Sequence, residues 1–391
     1  MKTKNILSIL ICSLLLGGGI LAALMTFKQN KNLISAHHAV QPLITKSASK
    51  KLLTVDVSQS KIFKERLVID RLIHQSGFSG SALIISHGKV ILSKGYYLSN
   101  LRSKKYNQPL TAYYIGSITK SVTAIAYMQM QERGWIHLND TVSKFYPYFP
   151  NGNRISMLDL LCHMSGLRDV PETTQPMTRD EVVQTIERHS ERLASRPGTV
   201  WHYSDTNYAL LAAILDRVVQ KNDHESLHDY IRQFIFQRAG MLHSGFGDEM
   251  LHYAYPSTGY VFQDEHAFVE RIPSFTQLIG CGDVYATSWD LYLFDRTIAH
   301  ATIISRTSRQ QILSRHFPGV SYSCGWYINR KGWGANTYSS HGVLGGWNGS
   351  NAFTKDKQNY IILLSNVNTP RVQFSKLNRT IFHILRSNSH H

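Results

Sequence analysis

The chain has 391 residues, of which 43% are hydrophobic, 11% aromatic and only 17% charged, so wholesale disorder and a coiled coil are excluded. Lysine and arginine outnumber aspartate and glutamate 42 to 26; the net charge of +16 points to a polyanionic partner, an anionic membrane surface or chance surface drift, with nucleic acid only one candidate. The four cysteines, Cys12, Cys162, Cys281 and Cys324, show no C-x-x-C spacing, which argues against zinc ribbons, thioredoxin-like redox chemistry and a disulfide framework.

Lys2 and Lys4 precede an apolar run from Ile6 to Phe27, 22 residues without a charge, long enough at about 1.5 Å per residue to cross a bilayer core of about 30 Å. Ala22, Ala23 and Leu24 form a poor cleavage site, so residues 1–27 read as an uncleaved anchor. Lys28 and Lys31 make the flanks basic on both sides and leave its orientation open. Residues 28–65 are rich in Lys, Ser and Gln without a sustained apolar period and read as a flexible tether, followed by a globular domain over 66–391.

Ser81–Ser86 and Lys89–Tyr96 are two apolar runs joined by His87-Gly88, a β-hairpin. Ser117–Arg133 carries apolar residues at Val122, Ile125, Ala126, Met128 and Met130 and stops at Gly134, a helix. Helices are expected over 181–193, 206–220 and 225–238, strands over Tyr322–Ile328 and Tyr360–Leu364, and a last amphipathic helix after Pro370. Strands near both ends with helices between them indicate an α/β (α+β) domain.

Gly116-Ser117-Ile118-Thr119-Lys120 opens the 117–133 helix, so Ser117 and Lys120 share a face. A serine hydroxyl is a poor nucleophile. A partly desolvated lysine beside it can stay neutral and take its proton, and the helix N-terminus favours the developing anion. A competing string, His224-Glu225-Ser226-Leu227-His228, has the zincin spacing on an expected helix, but no third ligand follows at zincin distance. We therefore expect no metal and no cofactor.

Further blocks accompany the Ser-x-x-Lys tetrad: Gly80-Ser81 with His87-Gly88-Lys89, Leu138 to Lys144, Asp159 to Leu167, Pro197-Gly198, Tyr203-Ser204-Asp205-Thr206-Asn207-Tyr208 and Gly240-Met241. In order and spacing they resemble the serine β-lactamase and penicillin-binding-protein superfamily, in its class C and D-Ala-D-Ala carboxypeptidase branch, from about Phe78 to Asn366. The resemblance implies an antiparallel sheet flanked by helices with an inserted helical region. It also implies that Tyr203 works with Lys120 as general base and then as acid toward the leaving group. Asp205 stands where that family usually has Asn; it is protonated, or pairs with Lys120, or recognises amides less well. The third motif, Lys/His-Thr/Ser-Gly, falls on His341-Gly342-Val343, where Gly342 replaces the hydroxyl residue and Val343 the glycine. That substitution weakens carboxylate recognition but leaves backbone amides of Ser117 and of a residue near Val343 or Leu344 for an oxyanion. Gly280-Cys281-Gly282-Asp283 resembles the Gly-rich turn near the family's site, or is simply a tight turn.

Such chemistry forms an acyl-enzyme on esters or amides, and the family's ancestral acyl group is D-alanyl. The expected substrate is an anionic cell-wall polymer, with a D-alanyl ester of teichoic or lipoteichoic acid ranked above the D-Ala-D-Ala of peptidoglycan. A β-lactamase ranks third and an inactive penicillin-binding sensor fourth. The expected place is the cell membrane, single-pass, with the catalytic domain extracellular and no nucleic-acid partner.

Overall fold

The computed structural model describes residues 57–263, 266–329, 334 and 336–387. The anchor expected at 1–27 lies outside them, and among the described residues no helix is long and apolar enough to cross a membrane. Residues 57–65, assigned to the tether by sequence, instead begin a helix, α1 (Val57–Gln75). Its apolar positions Ile62, Ile69 and Ile73 recur at seven and four residues, a single narrow stripe diluted by charged neighbours, and Ile69 and Ile73 are fully buried. Burying side chains of this size contributes about 1.5–3 kcal/mol each.

The centre is a seven-stranded antiparallel sheet. Its strands are β1 (Gly80–Ser86), β2 (Lys89–Tyr96), β3 (Tyr322–Ser323), β4 (Trp326–Asn329), β5 (Thr337–Leu344), β6 (Trp347–Thr354) and β7 (Asn359–Ser365), in the spatial order β3-β4-β5-β6-β7-β1-β2. β1 and β2 are the expected hairpin, and β1 also runs against β7 from Gly80↔Ser365 to Ser86↔Asn359. Alternation along each strand divides the apolar residues between two cores. Ala82, Ile84, Ile361 and Leu363 face α1 and the C-terminal helix α6 (Phe374–Ser387), while Leu83, Ile85, Ile362 and Leu364 face the helical region.

That region contains α2 (Thr119–Glu132), α3 (Arg179–Ser190), α4 (Asp205–Asn222) and α5 (Ser288–His300). α2 is buried along most of its length and occupies the middle of this core. Two expectations change in detail. The strand over 322–328 is a hairpin that turns at Cys324-Gly325, where only glycine fits, since a Cβ on Gly325, at φ +86°, would stand 2.5 Å from Ser121 Cα. The helix over 225–238 begins only at Leu227, where the Ser226 side chain accepts from Asp229 N, and widens to a π-turn over Arg232–Phe236.

β4 pairs only with the first half of β5, from Asn329↔Thr337 to Tyr327↔Ser339, whereas β6 pairs with β5 as far as Leu344. Among the described residues, the outer edge of β5 beyond Ser339 therefore has no strand beside it. The turn carrying Ser117 packs there.

Candidate active site

Ser117 lies in a 3-10 turn, Gly116–Ile118, that leads directly into α2. One turn on, Lys120 is fully buried, and its Nζ donates to Ser117 Oγ at 2.9 Å and to the carbonyl of Cys281 at 2.9 Å. The same nitrogen stands 2.5 Å from Asp205 Oδ1, an ion pair. Asp205 opens α4, where the helix N-terminus favours a carboxylate. The Gly280–Asp283 turn thus presents a main-chain acceptor to the lysine.

Burial alone would press Lys120 toward neutrality, but the fields of Tyr203 and Asp205 outweigh it and hold the ammonium well above the ordinary lysine range. This corrects the expectation of a neutral lysine at rest. Of the three options for Asp205, the structure shows pairing with Lys120.

Tyr203 joins the group through its ring, whose centroid is 5.1 Å from Lys120 Nζ. Its orientation is set by an aromatic nest: His163 lies 4.3 Å away, tilted, and Tyr322 meets it edge-on at 5.8 Å. His163 is buried at φ +58°, and its Nδ1 accepts from Ser204 N and from Asn207 Nδ2, both at 3.3 Å, so the ring proton belongs on Nε2. Burial, together with the positive field of Lys120, keeps this imidazole neutral. Tyr327, with its hydroxyl pushed up to about 12 by burial and by Tyr203, completes the aromatic wall.

The third motif sits one residue away from its sequence assignment. A Cβ built on Gly342 would stand 2.0 Å from the Ile115 carbonyl oxygen and 2.8 Å from Ser117 N, so only glycine fits. Gly342 is therefore the motif's glycine, and Ser340 and His341 precede it in the places of the cation and the hydroxyl. A Cβ on Gly116, at φ +51°, would likewise meet Val343 O at 2.5 Å and Val343 N at 2.8 Å, so the main chains of 116–118 and 342–343 run side by side. His341 alternates to the other side of the strand. Its Nε2 bonds Asn348 Oδ1 at 2.8 Å, its ring lies 5.9 Å from that of Phe374, and burial keeps its pKa below the usual histidine value. The structure thus brings Ser117, Lys120, Tyr203, Asp205, Gly342 and the Val343 backbone together and leaves a buried, neutral serine where the family places a cation.

Sequence reasoning missed Glu172. It is half-buried, and burial, reinforced by the like charge of Asp205, raises its carboxyl above the usual value. It lies in a Val-Pro-Glu-Thr-Thr loop with no periodicity or motif to mark it. His163 lay inside a quoted block, but nothing in the string showed that it backs Tyr203. Cys281 acts through its carbonyl only: its thiol donates to Leu278 O at 3.3 Å, and burial pushes its pKa well up.

The His-Glu-x-x-His string does not form a helical turn, since Ser226 caps the helix and His224 sits at φ +59° in the loop before it. His228 is turned instead to Asp283 Oδ2 at 2.7 Å and stacks on Phe246 at 3.9 Å. Among the described residues no group of three or more His, Cys, Asp or Glu is placed to hold a metal ion.

A serine at a helix N-terminus, a lysine one turn on, a tyrosine ring against that lysine and a glycine strand beside them are the arrangement of a penicillin-binding-protein-like serine hydrolase. Residues 65–386 match the Beta-lactamase family, and the chain belongs to it. It is 33% identical over 342 residues to PbpX of Bacillus subtilis, covering 87% of this chain and 83% of that protein. It is 27% identical over 305 residues to a teichoic acid D-alanine hydrolase of Staphylococcus aureus, covering 77% and 74%. The crystal structure of FmtA from Staphylococcus aureus superposes with a TM-score of 0.73 at 24% identity, over 82% of this chain and 89% of that one.

Proposed function

We propose that the protein is a D-alanyl esterase acting on teichoic or lipoteichoic acid, held at the cell membrane by residues 1–27 with its catalytic domain outside. The observation that carries this reading is the Lys120–Asp205 pair: a carboxylate stands beside the nucleophile's lysine where the family has an amide. A D-alanyl ester bears an ammonium on the carbon next to the scissile carbonyl. When Ser117 reaches that carbonyl, the ammonium comes within range of Asp205 and offsets its charge, and Lys120 loses the partner that keeps it protonated. The substrate's own cation thereby helps to release the base.

Ser117 Oγ then attacks the ester carbon, its proton passing to Lys120 with Tyr203 alongside, while the Ser117 and Val343 amides receive the oxyanion. The tetrahedral intermediate expels the polymer alkoxide, which takes a proton from Tyr203 or Lys120. Water hydrolyses the D-alanyl-Ser117 ester, freeing D-alanine. A terminal carboxylate, by contrast, meets Asp205, half-buried Glu172 and no third-motif cation. The relative named a teichoic acid D-alanine hydrolase supports the same reading.

The test compares D-alanine release by the full-length protein from D-alanylated lipoteichoic acid and from a muropeptide ending in D-Ala-D-Ala. Faster release from the polymer is expected. Faster release from the muropeptide restores the carboxypeptidase reading, and no release from either, with Ser117 still acylated by a penicillin, makes the protein a sensor.

A further inference from the structure

At the far end of β5 from Gly342 an open pocket is lined by His300 at the end of α5, by Arg306, Arg309 and Gln310 of the short helix Arg306–Ile312, by Tyr338 and by Lys357 of the β6–β7 turn. Among the described residues no carboxylate lines it. Among the described residues, none of its four basic side chains takes part in an ion pair, and Arg309 Nε is buried without a hydrogen-bond partner. Three acids lie near among the described residues. Glu132 accepts from Ser305 N at 2.7 Å, just before Arg306; Asp356 turns into its own loop, where it accepts from Thr354 Oγ1 and from Gln358 N; and burial raises the carboxyl of Asp295 well above the usual value. The cations act on one another: after burial, the fields of Lys357, Arg296 and Arg309 hold His300 below its ordinary value. An excess of like charge around a concavity costs free energy unless an anion offsets it, and two guanidiniums with a phenol and an amide offer the donors that phosphate oxygens accept.

Resting on the esterase reading for the identity of the chain bound, we propose that this pocket is a second binding site, which holds backbone phosphodiesters of the same anionic polymer whose D-alanyl ester lies at Ser117. Tyr338 and Gly342 are four residues apart on one strand, with side-chain directions on the same face, so the two sites are separated by about 13 Å along β5. A linear polymer with a phosphate in every repeat can engage both. A small ester engages only the catalytic one.

The test is titration calorimetry of the full-length protein in detergent with poly(glycerol phosphate) freed of both lipid and D-alanine, which reads the pocket without any acyl chemistry. The double substitution Arg306→Glu with Lys357→Glu, at an exposed and a half-buried position, is expected to weaken binding about tenfold or more and to flatten its salt dependence. Ser117 acylation by a fluorescent penicillin stays at the wild-type rate. The charge-keeping pair Arg306→Lys with Lys357→Arg is expected to bind within a factor of about three of wild type. Unchanged polymer binding by the reversed variant overturns the proposal, as does equal loss of binding in both variants. Inorganic phosphate binding as tightly as the polymer would make this a free-phosphate site and overturn it too. A protein that binds the stripped polymer through this pocket but releases no D-alanine from the acylated one would sink the esterase reading and leave the pocket standing.

Discussion

Lys120 Nζ stands 2.5 Å from Asp205 Oδ1 and 2.9 Å from Ser117 Oγ, so a single buried ammonium is shared between a serine hydroxyl and a carboxylate. At rest the lysine is an acid.

Because the reactive form is the neutral amine and its pKa is raised, acylation of Ser117 by a penicillin should climb as pH rises from neutral into the alkaline range. Asp205→Asn removes the opposing charge, moves that limb to lower pH and speeds acylation at neutral pH about tenfold for each unit that the lysine falls. The same change slows D-alanyl ester turnover, since the ammonium loses its partner. Stopped-flow acylation and D-alanine release on both proteins check this; parallel changes in the two rates would refute it.

Gly342→Ala places a methyl 2.0 Å from the Ile115 carbonyl, main chain against main chain. We expect a loss of about 1–3 kcal/mol in stability and near-complete loss of acylation, because the Ser117 turn must move. Val343→Ala, whose side chain is 42% exposed, should leave both close to wild type. Thermal melts with intact-mass detection of the penicillin adduct separate the two cases.

Asp295 is fully buried, accepts from Asn351 Nδ2 at 2.5 Å through one oxygen and leaves the other without a partner. Burial raises its pKa well above the carboxylate range, so the folded protein keeps a proton that the unfolded chain releases above about pH 4. Its contribution is therefore intact below the unfolded pKa and is lost as pH rises toward the folded one, with a slope of up to about 1.4 kcal/mol per pH unit. Asp295→Asn should flatten the decline of Tm between acid and neutral pH. A variant with an unchanged slope would show that other groups set it.

A strong chelator should leave D-alanine release and penicillin acylation unchanged. His228→Gln, by contrast, should lower stability, since Asp283 loses a 2.7 Å partner at a buried position. Activity that disappears with chelator and returns with zinc would overturn the serine reading.

Membrane fractionation followed by N-terminal sequencing should recover a membrane-bound protein that retains residues 6–27. A soluble product beginning after Phe27 would show a cleaved signal.

The sequence made the β1–β2 hairpin, the Ser117 helix and α4 legible because each combines a regular apolar period with a clear terminus: His87-Gly88, Gly134 and the polar 203–205 entry. The contact of Ser117 with Lys120 was legible for a related reason, since a spacing of three residues on a helix is a distance. The third motif was not, because strand alternation does not say which glycine lies against a neighbouring main chain; only the approach of Ile115 to Gly342 fixes that register. Nor could the charge of Lys120 be read, as it depends on Asp205, 85 positions away along the chain, meeting it at a helix end. α1 was hidden by its charged residues, which crowd the positions around the stripe that meets the sheet.

Lys120 is fixed by one group that a codon change can remove and by another that it cannot. The carbonyl of Cys281 belongs to the main chain, so the residue at 281 can vary without altering what the lysine is offered, provided that the turn keeps its path. That path depends on Gly280, at φ +76°, where a Cβ would stand 2.5 Å from that of Ala212. Redesigning this site would therefore begin at Asp205, whose side chain together with Tyr203 sets the lysine's charge, and would keep Gly280 as the fixed point of the scaffold.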